Sequence, residues 1–186
     1  MPLIVHNTGS KFGLIAIFFH WVMAVLIIGL FALGHYMSGL DSNDSWYHYG
    51  PYLHKSMGVV ILLLLMLRYF WKMIQITPAP FANYKVWELK LSKVVHWLFY
   101  ILLVIACISG YLIATAKGTG IEFFTFFVLD PMATLNDSQA EFVKEVHEIV
   151  NWLMAFLFIL HAGAALKHHF IDKDNTLVRM LKPFDE

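Results

Sequence analysis

Ten histidines stand out in this chain of 186 residues, because the rest of it is 59% hydrophobic and only 14% charged. Soluble domains are about 25% charged, so we expect the chain in a lipid membrane. Ionisable side chains are costly to bury there and usually serve a function. Imidazole is also a common metal ligand and carries protons near neutral pH. The histidines are therefore the first candidates for a functional site.

Four histidines fall inside apolar stretches: His20, His54, His147 and His161. His147 and His161 are 14 residues apart, which at ~1.5 Å per residue is about 21 Å along a helix, close to a whole number of turns. In expected depth, His20 matches His161, and His54 matches His147. Two such pairs on facing helices are what two six-coordinate haems require, so we predict these four as axial ligands. The chain has no C-x-x-C-H motif, which favours b-type haem.

Three other side chains are candidates for contacts with cofactors. Arg68 follows His54 by 14 residues and shares its helix face at the depth of the other pair, where a guanidinium would bind a haem propionate. His96 is shallower than His161, so we expect it to contact a haem or a quinone rather than to bind iron. His168 lies two turns beyond His161. It is either a hydrogen-bond donor to a quinone carbonyl or an ordinary interfacial histidine.

Four apolar stretches are long enough to carry these residues across a membrane. We place the helices at about 12–34, 53–74, 93–115 and 146–169, within one domain that covers residues 1–186. Gly50 and Pro51 are expected in a polar loop before the second helix. The segment IEFFTFFVL is too short to span and is expected in the interface. The predicted fold is an all-α membrane protein, a four-transmembrane-helix bundle enclosing two b-type haems.

His35, at the end of the first apolar stretch, is an alternative to His54 as a haem ligand.

The distribution of charge indicates the orientation and excludes other classes of protein. With the N-terminus inside, the inner segments hold ten of the 13 Lys and Arg residues and the outer segments the other three. The positive-inside rule therefore puts both termini in the cytoplasm. Zero net charge without a basic face argues against nucleic-acid binding. A single cysteine excludes a disulfide framework and a cysteine-ligated iron–sulfur cluster.

The chain resembles the bacterial cytochrome b561 family, small four-helix dihaem proteins that include superoxide oxidases. The resemblance covers nearly the whole chain except the loops. It rests on FFHWVMAVLI around His20, LHKSMGVVILLLLMLRYFWK with His54 and Arg68, HWLFYILLVIACISGY at His96, and VHEIVNWLMAFLFILHAGAALKHHFIDKDNTLVRM at the end. The terminal HAGAALKHHFIDKDNTLVRM is the most specific part.

The resemblance implies a single cytochrome b561 domain and a set of haem ligands. Carried over position by position, it makes His20 and His161 the axial pair of the inner haem. It makes His54 and His147 the pair of the outer haem, which favours His54 over His35.

The resemblance also implies a function in the bacterial inner membrane. Electrons from superoxide at the outer surface would pass through both haems to ubiquinone, which His168 would contact. The outer segments carry eight acidic residues against three lysines, and such a surface suits a basic periplasmic redox protein as donor, so both donors stay open. The alternative class is a haem-b membrane anchor and electron-transfer subunit of a larger dehydrogenase or hydrogenase. Size and the lack of long docking tails favour a self-contained oxidoreductase. A transporter would require the four histidines to be accidental.

Overall fold

The computed structural model of the chain describes residues 3–81 and 84–183. Its architecture is mostly helical, in agreement with the predicted all-α class, with four long helices: α1 (Leu14–Met37), α2 (Trp46–Ile74), α3 (Val86–Thr115) and α4 (Asp137–Phe170). Each of the four is long and apolar enough to cross a membrane. The predicted number of membrane-spanning helices is therefore confirmed.

Three helices begin earlier than the apolar pattern indicates. α2 begins at Trp46, so the prediction that Gly50 and Pro51 lie in the preceding loop is wrong. Pro51 is the sixth residue of the helix and cannot donate the usual hydrogen bond to the Tyr47 carbonyl oxygen, yet α2 continues through it. α3 begins at Val86 and α4 at Asp137, in turns that carry charged residues. Hydropathy marks only the part of a helix suited to lipid, whereas helical hydrogen bonding continues beyond it.

The segment expected in the interface forms a short antiparallel hairpin of β1 (Ile121–Phe123) and β2 (Phe127–Leu129). A fully buried serine of α2 holds this hairpin. The Ser56 hydroxyl donates to the Glu122 carbonyl oxygen at 3.1 Å and accepts from the Phe124 amide at 3.2 Å. The hairpin is thus attached to α2 two residues after His54.

The chain divides into two compact units, and every long helix contributes one segment to each. The terminal unit comprises Met1–Val22, Leu65–Tyr100 and Met154–Glu186. The hairpin unit comprises Met23–Leu64 and Ile101–Leu153. The terminal unit therefore holds His20, His96, His161 and His168, and the hairpin unit holds His54 and His147.

In the terminal unit, the N-terminal segment, the link between α2 and α3 and the chain after α4 are joined by hydrogen bonds. That last segment includes a 3-10 turn, Val178–Met180. The bonds run from Ile4 N to Pro183 O (2.9 Å), from Ala79 N to Gly9 O (2.8 Å), from Arg179 Nη1 to Ala79 O (2.9 Å) and from Trp21 Nε1 to Met180 O (2.6 Å). These bonds fix the segments around the ends of the helices.

Both units have small cores and apolar outer surfaces. Ile17, Leu65 and Met154 are buried in the terminal unit, and Met23, Ile61, Leu103, Ala106, Ile121 and Val150 in the hairpin unit. Many large apolar side chains of the helices are exposed, including Val25, Phe70, Val104 and Ile159. Such helix surfaces suit hydrocarbon rather than water.

Candidate functional site

In the hairpin unit, His54 of α2 faces His147 of α4. Their ring centroids are 6.5 Å apart and the ring planes are inclined by 74°. Two glycines make room for these rings. A Cβ on Gly34 would lie 3.2 Å from His54 Cε1, and a Cβ on Gly110 would lie 3.1 Å from His147 Cε1. Carbon atoms pack best at about 3.5–4.0 Å, so any larger residue would press on the histidine.

Hydrogen bonds fix the orientation of His147. Ser109 Oγ donates to the Ile105 carbonyl oxygen at 2.7 Å, so it accepts from His147 Nδ1–H at 3.0 Å. Nε2 of His147 then keeps its lone pair. His54 Nδ1 is buried and has no hydrogen-bond partner among the described residues. An orphaned buried nitrogen of this kind is costly unless a ligand or water satisfies the ring.

In the terminal unit, three histidines and an arginine converge. The rings of His20 (α1) and His161 (α4) are 6.2 Å apart, inclined by 55°. The ring of His96 (α3) is 5.4 Å from that of His161, and its Nδ1–H donates to the Ser92 carbonyl oxygen at 2.7 Å. Arg68 Nη2 lies 3.5 Å from His20 Nδ1. The structure thus brings Arg68 and His96 to the predicted pair of this unit.

The separations of the predicted pairs suit one metal atom between two imidazoles. A histidine nitrogen lies about 2 Å from a metal that it binds and roughly 1 Å from its own ring centre, so two opposed rings have centres about 6 Å apart. The values of 6.2 Å for His20 and His161 and 6.5 Å for His54 and His147 agree with this. The 5.4 Å between His96 and His161 is too short. The residues present therefore fit two bis-histidine haem sites.

His168 lies near the end of α4 beside two carboxylates. Its Nδ1 is 2.9 Å from Asp172 Oδ2 and 3.0 Å from Asp174 Oδ2, and its ring packs 4.8 Å from that of Tyr84. The other oxygen of Asp174 accepts from the Thr176 amide at 2.8 Å and from the Thr176 hydroxyl. Burial opposes ionisation of Asp174, but the hydrogen bonds from Thr176 keep the pKa of its carboxyl below the ordinary value. Burial raises the pKa of the Tyr84 hydroxyl despite its hydrogen bond with Thr176.

A lysine joins this carboxylate cluster to the start of α3. Lys167 Nζ lies 2.6 Å from Asp172 Oδ2 and 3.1 Å from Glu88 Oε1. Glu88 in turn accepts from the Lys85 amide at 3.0 Å. Donor atoms of Glu88, His168 and Asp172 lie within 4.8 Å of one another. Because the Lys167 ammonium group contacts the carboxylates of both Glu88 and Asp172, we interpret the cluster as an ion-pair network rather than a metal site.

Two further residues of the hairpin unit lie on the same helices as its glycine and histidine contacts. His35, the rival ligand, is exposed and packs edge-to-face on Trp152 with ring centroids 6.1 Å apart, so the ring facing His147 is that of His54. Gly58, four residues after His54, would place a Cβ in open space, with no described atom within 4 Å. The glycines that touch histidines are elsewhere.

The sequence pattern missed several residues of these sites. Gly34, Ser109 and Gly110 are far from their histidines along the chain, and only their small size beside an apolar run hinted at a close approach. Asp172 and Asp174 are different, since they follow His168 by four and six residues. Their spacing alone was a signal that carboxylates close on this histidine at the helix end.

The fold and these sites define a class: a membrane protein of four spanning helices with two histidine pairs suited to hold haem. Residues 11–183 match the family model described as Prokaryotic cytochrome b561, and the chain belongs to this family. It is 42% identical over 177 residues to "Cytochrome b561 homolog 2" of Escherichia coli K12, with 94% of this chain and 93% of that protein covered.

Two further relatives match over a similar length. "Probable superoxide oxidase CybB" of Yersinia pestis is 30% identical over 173 residues, covering 92% of this chain and 96% of that protein. "Cytochrome b561 homolog 1" of Escherichia coli K12 is 27% identical over 172 residues, covering 92% and 97%. Membership confirms the predicted family. The chain is accordingly a bacterial membrane cytochrome, an electron-transfer protein that binds b-type haem in a lipid environment.

Proposed function

We propose that the chain binds two b-type haems and catalyses electron transfer from superoxide to ubiquinone, as a superoxide:ubiquinone oxidoreductase. The observation that carries the proposal is the presence of two separate histidine pairs, with rings 6.2 and 6.5 Å apart. In the balanced reaction, two superoxide anions each lose one electron to become oxygen. Ubiquinone gains the two electrons and two protons to become ubiquinol.

The side chains divide into ligands and supporting residues. His20 and His161 hold one haem and His54 and His147 the other, while Arg68 binds a propionate and His96 contacts the ring or the quinone. A haem held by two such histidines would supply one-electron redox chemistry. Ser109 and Ser92 fix the ring orientations of His147 and His96 through Nδ1.

The donor is proposed at the outer membrane surface, with both termini of the chain in the cytoplasm. Ten of 13 basic residues fall in the segments that this orientation places inside. Superoxide is supported by the 30% identical relative named as a probable superoxide oxidase. The eight acidic residues of the outer segments support a basic periplasmic redox protein as the competing donor.

The proposed ubiquinone contact is His168, in the terminal unit. It is half-buried beside the ring of Tyr84, and its Nδ1 faces Asp172 and Asp174. Nδ1 is therefore engaged with the protein, and Nε2 is the nitrogen available to a quinone carbonyl. A histidine with one nitrogen so held can pass protons at the other.

The haem content tests the first part of the proposal. We expect two b haems per chain in the detergent-purified protein, measured by haem quantitation and reduced-minus-oxidised spectra. Replacing the exposed His35 with Ala is the control and should leave both. One haem per chain in the unaltered protein contradicts the proposed dihaem site.

Stopped-flow mixing tests the donor. The oxidised protein should be reduced within milliseconds by superoxide and should pass its electrons to added ubiquinone. His168→Gln should keep both haems and slow quinone reduction about 100-fold, in the range of a lost general acid. If superoxide reduces the haems slowly and a partner protein reduces them rapidly, the donor is a protein instead. That donor is then a periplasmic redox protein, or the chain is a subunit of a larger dehydrogenase or hydrogenase.

A further inference from the structure

The two carboxylates at His168 differ in what else they contact. Asp172 shares its charge with Lys167 Nζ at 2.6 Å, and its side chain is 25% exposed. The Asp174 side chain is only 7% exposed, and Thr176 donates to its other oxygen through the backbone amide and the hydroxyl. Although both lie about equally close to His168 Nδ1, Asp174 is the better fixed and the less neutralised partner.

We propose that Asp174 is a positioning residue that keeps the proton of neutral His168 on Nδ1, so that Nε2 is free to carry protons to the quinone. This inference rests on the proposed function for its substrate, and on the contacts of Asp174 for its mechanism. A carboxylate acts in the same way on the histidine of hydrolase triads, where it selects the tautomer and stabilises the imidazolium.

Each proton transfer then uses one nitrogen only. Nε2 takes a proton from water at the membrane surface, and the imidazolium is stabilised by the carboxylate at Nδ1. The Nε2–H bond breaks as an O–H bond forms on the quinone carbonyl oxygen, while the electron comes from the donor of the proposed reaction. This transfer supplies one of the two protons of the quinol and returns His168 to the Nδ1–H tautomer; the opposite carbonyl oxygen takes the second proton from solvent, and the donor of the proposed reaction supplies both electrons.

Asp174→Asn is the sharpest test because the hydrogen bonds of Thr176 fix the orientation of the Asn side-chain amide. The Thr176 backbone amide must still find a carbonyl oxygen, so the Asn NH2 group turns toward His168 Nδ1. Two donors cannot face each other, so the proton of His168 should move to Nε2. Asp172→Asn is the matched control, since that carboxylate is already shared with Lys167.

The tautomer is read from the side-chain nitrogen shifts of His168 in the reduced, haem-loaded protein, with His168→Gln to assign the signal. We expect Nδ1–H in the unaltered protein and in Asp172→Asn, and Nε2–H in Asp174→Asn. The kcat for ubiquinone reduction should fall about tenfold or more in Asp174→Asn, in the range of lost supporting contacts, while KM changes less than twofold.

Three results overturn the inference. The first is an Nε2–H tautomer of His168 in the unaltered protein. The second is an unchanged tautomer in Asp174→Asn, and the third is an equal loss of kcat in Asp174→Asn and Asp172→Asn. If the unaltered protein does not reduce ubiquinone, the proposed function fails, whereas the tautomer still shows whether Asp174 controls His168.

Discussion

The two histidine pairs have similar separations but very different surroundings. Beside His20 and His161 stand a guanidinium and a third imidazole, those of Arg68 and His96. Beside His54 and His147 stand two glycines and a serine hydroxyl. One pair therefore has a charged neighbour and the other neutral ones. Because charge and hydrogen bonds around a haem set its reduction potential, we expect the two proposed haems to differ in reduction potential.

The contacts that attach the loops to the helices also differ between the two units: they are ionic in the terminal unit and neutral in the hairpin unit. In the terminal unit, Lys167 links carboxylates from the end of α4 to the start of α3, and Asp174 accepts from His168. In the hairpin unit, neutral groups form the links: Ser56 binds the hairpin, and Tyr111 Oη donates to the Asp130 carbonyl oxygen at 2.7 Å. Changes of pH should therefore act on the two units differently.

The largest effect is expected from removing one ligand. His161→Ala should reduce the haem content from two to one per chain and leave the haem of His54 and His147 in place. His96→Ala is the matched control and should retain both, because its ring is too close to His161 to share one metal with it. Haem quantitation decides this. Loss of a haem in His96→Ala, with full content in His20→Ala, would reverse the pairing in the terminal unit.

A methyl group tests the glycine contacts that only the hairpin unit has. In Gly110→Ala the new Cβ lies 3.1 Å from His147 Cε1, and Ser109 prevents the ring from moving away freely. We expect about tenfold weaker haem binding at this pair, in the range of disturbed supporting contacts, measured by haem titration. Ile108→Ala, at an exposed position of the same helix, is the control and should bind haem normally. Equal behaviour of the two variants argues that the ring of His147 is not confined.

These contacts also show where sequence reasoning ended. Helix number and the histidine pairs follow from hydropathy and from a 14-residue spacing, which is local to one helix. The contacts of Gly34 and Gly110 depend on how different helices approach each other, which no pattern within one helix records. The early start of α2 could not be predicted from hydropathy, because the helix includes a polar turn that contains Gly50 and Pro51, residues typical of loops.

Removing the charge of Arg68 should change the midpoint potential of the terminal unit's haem only. Arg68→Gln deletes a positive charge beside His20, so the oxidised form gains relative to the reduced form. The expected change is on the order of 1–2 kcal/mol, a lowering of the midpoint potential by about 40–80 mV for one electron. Potentiometric titration with separate fitting of the two haems measures it. An equal lowering of both potentials contradicts a local effect.

Ser109→Ala is the corresponding change in the hairpin unit, and it should raise the midpoint potential of that unit's haem rather than lower it. Losing the acceptor at His147 Nδ1 makes the imidazole a weaker donor to iron, which favours the reduced form. A hydrogen bond of about 1 kcal/mol corresponds to a rise of up to about 40 mV. The same titration should show the other haem unchanged. A fall in potential, or a shift in both haems, speaks against the proposed role of Ser109.

The smallest effect is expected from mild acid, and only at the terminal unit. The folded-state pKa of Asp174 lies below its ordinary value of 3.8, so its ionised form stabilises the fold above about pH 4. This contribution is lost as the pH falls through the lowered folded-state pKa. Amide hydrogen exchange, corrected for intrinsic rates, should accelerate below about pH 4 in the segment 171–183 and stay unchanged in the segment 120–132, where neutral hydrogen bonds from Ser56 hold the hairpin. Asp174→Asn should make the first segment exchange faster at neutral pH and remove most of its acid response. Equal acceleration of both segments would show that the ionic and the neutral attachments respond alike, contrary to the contrast between the two units.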